Sequence, residues 1–372
     1  MTPLELFFDL ALVFAFTQVT HTLVEDPTWG GVLRGMLVLA ALWWAWAGYS
    51  WLSSTIDVDE GGVRLSMLAS MTAMLAAALA VPGAFADDAL VFALAYLLVR
   101  VLHLVLYAVA GRDDRDLLGA VLKIVPTELL GAALLVPAAF VDGDARIAIW
   151  VVALTIDYFG PIVVGVGTGW RIAPHHFAER HGLIVLIALG ESIVAIGVGA
   201  GLELTPKVMA TAALGVVVVS ALWWLYFDVA EIFARRRLVQ ASRAEQARLA
   251  LVAYSYLHLP LVAGIVLFAF GLETTLHHVG DRLDTVPAVA LCGGAALYLI
   301  GHVCFLVRTT GRVFRRRTIG AVVLLALIPV ALVVPAAVAL ALVSVVCTGV
   351  VAYEAIRHRV DRLVVRHPEL TE

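Results

Sequence analysis

Apolar runs of about 20 residues recur along the whole of this 372-residue chain, separated by short connections that hold the prolines, glycines and charges. At about 1.5 Å per residue, such a run matches the roughly 30 Å hydrocarbon thickness of a bilayer. Within that layer a single segment satisfies all its backbone N–H and C=O groups only as a helix. The expected fold class is therefore all-α: a polytopic transmembrane helical bundle. Twelve spans are placed near 4–24, 31–52, 64–84, 89–110, 117–140, 145–168, 178–201, 206–231, 248–272, 287–308, 317–334 and 336–356. Pro329 and Pro335 make the division of the last two the weakest. Composition agrees, with 62% hydrophobic and 15% charged residues against about 25% charged in soluble domains. No soluble domain is left over. The first run carries Glu5 and Asp9 and has no basic flank, so it reads as a first span and not a removable signal. Cys292, Cys304 and Cys347 all fall in apolar runs, which indicates neither a disulfide framework nor a cysteine zinc site.

Orientation follows from the arginines. With the N-terminus in the cytoplasm, the even-numbered loops and the C-terminal tail are cytoplasmic. They hold the tracts Arg235–Arg237 and Arg315–Arg317 with Arg357 and Arg359. The opposite loops hold Glu25, Asp26, Asp87, Asp88, Asp142, Asp144, Asp281 and Asp284, with Arg146, Lys207 and Arg282 as their basic members. Both termini are expected in the cytoplasm. The two arginine tracts read as topology determinants that meet anionic headgroups.

An internal repeat is the main organisational signal. Ala41-Leu42-Trp43-Trp44 matches Ala221-Leu222-Trp223-Trp224, Arg64-Leu65 matches Arg248-Leu249, and Tyr96 and Arg100 match Tyr298 and His302. The offsets are 180, 184 and 202 residues, in order along the chain. Six spans separate the halves, so the repeats share one orientation, as parallel repeats related by an axis along the membrane normal do. The expected domains are 1–172 (first six-helix repeat), 173–358 (second) and a cytoplasmic tail, 359–372.

Polar residues deep in these runs are the candidates for chemistry. Counting from segment ends places Arg100, Glu128, Asp157 and Glu191 near the midplane, with His103, Gln18 and His258 within a turn or two. A charge at a helix centre costs about 2.5–3.5 kcal/mol, so these residues are expected to converge. Three acids against one arginine would leave at least one carboxylate unpaired. Pro126 beside Glu128, and Gly160-Pro161 after Asp157, suggest kinked helices of the kind that build transporter ion sites. A second set gathers at the cytoplasmic edge: Glu5, Asp9, Arg64, His176, Glu179, Arg180, His181 and Asp228. Read as function, it rings a vestibule; read as structure, it ties helix ends together. His175, His176, Glu179 and His181 do not form H-E-x-x-H, and no metal site is expected. No phosphate-loop, nucleotide, haem-attachment or Ser/His/Asp pattern is present, and no cofactor is indicated.

Two stretches carry a family resemblance. Glu5-Leu6-Phe7-Phe8-Asp9-Leu10 with Phe14-Ala15-Phe16-Thr17-Gln18, and His176-Phe177-Ala178-Glu179-Arg180-His181-Gly182 with Leu189-Gly190-Glu191-Ser192, resemble the bacterial low-temperature-requirement A family. Trp223–Asp228 and Tyr256–Pro260 resemble motifs of that family's second half. The resemblance implies a multi-pass protein of the bacterial cytoplasmic (inner) membrane and does not imply a mechanism, since the family name records a growth phenotype. The function expected from the buried residues is proton-coupled secondary transport or ion permeation, with Glu191 as the central carboxylate. The alternative is a membrane-embedded enzyme that uses a buried carboxylic acid as general acid on a lipid or isoprenoid-like substrate. Expected partners are the lipid bilayer and an unidentified small ion or molecule, with self-association left open and no nucleic acid.

Overall fold

The computed structural model describes residues 1–56, 61–165, 169–201 and 204–357. The expected tail, 359–372, lies outside the described residues. In chain order the helices are α1 (Pro3–Glu25), α2 (Trp29–Ser53), α3 (Gly61–Leu79), α4 (Ala89–Gly111), α5 (Arg115–Ala138), α6 (Gly143–Val164), α7 (Pro174–Ala200), α8 (Pro206–Phe227), α9 (Ala230–Gln240), α10 (Arg243–Leu249), α11 (His258–His277), α12 (Thr285–Thr310), α13 (Arg315–Ala326), α14 (Ile328–Ala331) and α15 (Ala336–Arg357). A π-helical segment, Ala250–Tyr256, lies between α10 and α11. The fold is all-helical, as the apolar runs require. Eleven helices among the described residues are long and apolar enough to cross a membrane, with α8 continuing through α9 and α10 through α11.

The stretch expected as an eleventh span, 317–334, is helical but interrupted. The 12 residues of α13 reach only about 18 Å, and the chain restarts as the four-residue α14, with Pro329 in its first turn. Proline offers no N–H to the preceding turn and its ring crowds the carbonyl four residues back, so the helix divides there.

Local sequence sets the helix ends. Thr2 and Glu5 form a reciprocal cap on α1: Glu5 N donates to Thr2 Oγ1 at 3.3 Å, and Thr2 N donates to Glu5 Oε2 at 2.8 Å. Thr28 Oγ1 accepts from Gly31 N at 3.0 Å to open α2. Gly311, at φ +72°, closes α12 in the left-handed conformation that favours glycine.

The chain divides into two compact units. The first comprises Met1–Arg180 with Ala241–Leu251; the second comprises His181–Gln240 with Val252 onward. In the first, α1 packs on α2 and α3, and α3, α4, α5 and α6 follow one another as neighbours. Its core is aromatic: Trp43, Trp46, Tyr49, Tyr96 and Tyr107 are essentially inaccessible. In the second, α11 and α12 share the most extensive helix–helix contact among the described residues. A Cβ built on Gly264 would lie 2.6 Å from Tyr298 N, one on Gly271 2.5 Å from Leu291 N, and one on Gly294 2.5 Å from Phe268 N. Small residues that admit this backbone approach are the usual basis of helix packing in lipid.

Candidate functional site

The first unit holds two buried ionic clusters, each built from residues one helical turn apart. In the first cluster α1 supplies Glu5 and Asp9 at i and i+4, and the opening turns of α7 supply His176 and Arg180 at the same spacing. Arg180 Nη2 donates to Asp9 Oδ1 at 2.6 Å, and Nη1 donates to Ser53 Oγ at 2.7 Å and lies 3.6 Å from Glu5 Oε1. His176 Nε2 sits 2.8 Å from Glu5 Oε1, while Ser54 Oγ is 3.2 Å from its Nδ1. Trp46 Nε1 donates to Asp9 Oδ1 at 2.8 Å, and the Arg180 guanidinium stands 5.6 Å from the Trp46 ring centroid. Glu5, Asp9 and Arg180 are all fully buried.

The second cluster is centred on Arg100, halfway along α4. Its Nη2 lies 3.3 Å from Asp157 Oδ1 on α6 and 3.4 Å from Glu128 Oε2 on α5. Tyr96 Oη, one turn earlier, donates to Asp157 Oδ2 at 3.0 Å. His103 Nδ1 lies 3.4 Å from Glu128 Oε2. Two glycines make the room. A Cβ on Gly131 would fall 2.7 Å from the Asp157 carboxyl carbon, and one on Gly48 would fall 3.0 Å from the His103 ring. His103 Nε2, Arg100 Nε and Ser50 Oγ are buried without a hydrogen-bond partner among the described residues.

One face of α2 runs past both clusters. Trp46, Tyr49, Ser50 and Ser53 recur at i, i+3, i+4 and i+7. Trp46 and Ser53 serve the first cluster. Tyr49 donates to Val99 O at 3.0 Å, and its ring lies 5.2 Å from that of His103. Tyr49 O also accepts from Arg180 Nη1 at 3.5 Å. The two clusters are thus the ends of one buried polar row. They also have the same make-up: one arginine, two carboxylates and one histidine. With a neutral imidazole each sums to −1, and with a protonated one to zero.

The expected midplane set is therefore assembled in part. Arg100, Glu128 and Asp157 meet, with the single guanidinium of Arg100 facing two of the three expected acids. Gln18 is half-buried on α1, where its carbonyl accepts from Thr22 Oγ1 at 2.8 Å. Glu191 and His258 are buried in the second unit. Of the edge set, Glu5, Asp9, His176 and Arg180 come together, whereas Arg64 and Glu179 are exposed. His181 is buried in the second unit, its ring 5.2 Å from Tyr254 and 5.3 Å from His258, and Asp228 is half-buried where α8 ends.

The second unit contains polar contacts that sequence reasoning did not find. His258 Nδ1 lies 3.0 Å from Ala253 O in the π-helical segment. A carbonyl only accepts, so that nitrogen carries the proton and Nε2 is left to meet Tyr226 Oη at 2.8 Å. Arg317, expected to be one of three surface topology determinants, is instead buried. It forks onto Glu354 at 2.9 and 2.8 Å, donates to Leu225 O at 3.1 Å and lies 3.0 Å from His302 Nε2. No feature of the Arg315–Arg317 tract distinguishes its third residue. The faces of α2 and α4 were more legible, since Tyr96, Arg100, His103 and Tyr107 also keep helical spacing.

Among the described residues, eleven helices long and apolar enough to cross a membrane, with arginine–carboxylate clusters buried within the first unit, define a polytopic helical membrane protein. The chain belongs to the bacterial low temperature requirement A protein (LtrA) family, whose model matches residues 1–352. It is 32% identical, over 80% of its own length and 75% of the relative's, to an uncharacterized protein of Rhizobium meliloti (strain 1021). No solved structure matches it.

Proposed function

We propose that this protein is a proton-coupled secondary transporter or ion-permeation protein of the bacterial inner membrane, in which the interrupted α13–α14 stretch makes a twelfth crossing and both termini are cytoplasmic. The supporting observation is the pair of buried clusters of identical make-up joined along α2. Each is neutral only when it holds one proton beyond its resting carboxylates, and a buried net charge is costly in lipid. Proton uptake and release at His103–Glu128 and His176–Glu5 would then be linked to the passage of a compensating ion. In this scheme Arg100 and Arg180 hold the fixed counter-charges. Asp157 and Asp9 are anchored by Tyr96 and Trp46, which leaves Glu128 and Glu5 as the exchanging members. Gln18 in the first unit and Glu191 and His258 in the second are proposed as further functional polar groups, and the first cluster lies toward the cytoplasmic face. The organisation proposed is two parallel six-helix repeats, 1–172 and 173–358. The buried polar residue at position 100 then has a counterpart in His302, which also faces a charged side chain, Arg317.

The test is pH-dependent flux of protons and monovalent ions in proteoliposomes, with wild type set against Glu128→Gln and Glu191→Gln. We expect E128Q to lower proton-linked flux at least roughly tenfold, a loss of about 1.4 kcal/mol or more of barrier stabilisation, with the protein still folded and monodisperse. E191Q is expected to do the same. Wild-type flux that both variants retain would overturn the proposal, as would a folded wild type with no flux.

A further inference from the structure

Independently of the transport reading, the second unit presents a basic cleft of about 660 Å³ between α9 and the end of α12. Arg236 and Arg237 line it from α9, and Arg308 and Arg312 from the last turn of α12 and the turn that follows. Phe233 and Phe314 complete its apolar walls, and no carboxylate is among its lining residues. Its volume falls in the ordinary range of small-molecule sites, roughly 300–1,000 Å³.

The bland account of these arginines is that helix C-termini attract cations. Both helices do end here, α9 at Gln240 and α12 at Thr310, and Arg237 and Arg308 occupy their last turns. That accounts for one arginine per helix end. Arg236 and Arg312 are additional to that pair and line the same cleft.

We infer that this cleft binds a phosphate group, and that its position fits the headgroup of an anionic phospholipid. Guanidinium forks match the planar pairs of oxygens that phosphate presents. The cleft lies where two spans end, Pro206–Gln240 and Thr285–Thr310, which is the depth of the headgroups. Phe233 and Val307 at its rim are 36% and 38% exposed, an apolar path for the attached chains. The same chemistry serves a free phosphate compound, and the experiment separates the two sources.

Full-length protein in mild detergent at about 0.15 M salt is melted with short-chain phosphatidylglycerol, short-chain phosphatidylcholine or inorganic pyrophosphate, since a ligand of the folded state raises Tm by mass action. Phosphatidylglycerol is expected to raise Tm by several degrees while phosphatidylcholine does not. Arg236→Gln/Arg312→Gln removes the rise, and the neighbouring control Arg315→Gln/Arg316→Gln keeps it. Single R312Q, at an exposed turn position, gives a partial loss even if the double variant folds poorly. A pyrophosphate response as large as that of the lipid, with the same dependence on Arg236 and Arg312, supports the site and assigns it to a soluble phosphate. The inference is overturned by no anion-dependent rise, by an equal rise with phosphatidylcholine, or by equal behaviour of cleft and control variants.

Discussion

Arg180 meets Asp9 with one guanidinium nitrogen and Ser53 with the other, inside a wall of Trp46 and α1. Removing the cation would leave Asp9 buried with no opposite charge beside it and Glu5 with His176 alone, and truncating one partner of a buried pair costs about 3–5 kcal/mol. Arg180→Gln is therefore expected to lower the melting transition in detergent by that order. The double variant Asp9→Asn/Arg180→Gln should be more stable than R180Q alone, because one stranded charge goes with it. An R180Q protein that melts like wild type would show that the pairing contributes nothing to stability. At this scale the sequence disclosed depth but not direction. Arg100, Glu128 and Asp157 could be expected to meet because each sits mid-span, where an isolated charge is costly. Their neighbours were harder to assign. Helices that are apolar on every side give little indication of rotation, so Tyr96 as the donor to Asp157 and Gly48 as the space for His103 emerge only from the packing. The α2 face of Trp46, Tyr49, Ser50 and Ser53 is the exception, since its helical spacing can be read directly.

Among elements, the α11–α12 pair shows what replaces the hydrophobic effect where lipid is as apolar as the core. Its contact is backbone against backbone at Gly264, Gly271 and Gly294. The neighbouring Gly293 has only an ordinary 3.6 Å approach to Val289. Gly264→Ala and Gly294→Ala each force the helices apart and are expected to destabilise by about 1–3 kcal/mol, as overpacking does, whereas Gly293→Ala should be near neutral. Thermal unfolding of the three variants decides it, and equal effects would mean that the close approach is not a source of stability. The break between α13 and α14 is the converse case. Pro329 marked that stretch in the sequence as one that divides, but hydropathy alone, which takes no account of a missing N–H, reads 317–334 as continuous. Arg317 shows a further limit. Its burial depends on Glu354, 37 residues away on α15, and no local pattern links residues so far apart in sequence.

For the whole molecule, the run lengths alone implied an all-helical multi-pass chain, because the bilayer admits few alternatives. Orientation rests on a different force, the retention of arginine-rich loops on the cytoplasmic side. That argument becomes testable across a single span. Ser242 and His278 are both exposed and flank the membrane-crossing segment Arg243–His277. Ser242 follows the Arg235–Arg237 tract, and His278 lies beside Asp281. In a background with Cys292, Cys304 and Cys347 replaced, His278→Cys should react with a membrane-impermeant maleimide in intact cells. Ser242→Cys should react only after the membrane is opened. The opposite pattern would place both termini outside and reverse the proposed direction of the first ionic cluster. Labelling of both sites from the same side would mean that α10, the π-helical segment and α11 do not together cross the bilayer. The second proposed repeat would then lack a counterpart of α3, and α12 would cross in the direction opposite to its proposed partner α4, which parallel repeats do not allow. The single experiment therefore bears on the orientation of the arginine tracts and on the symmetry of the duplication together.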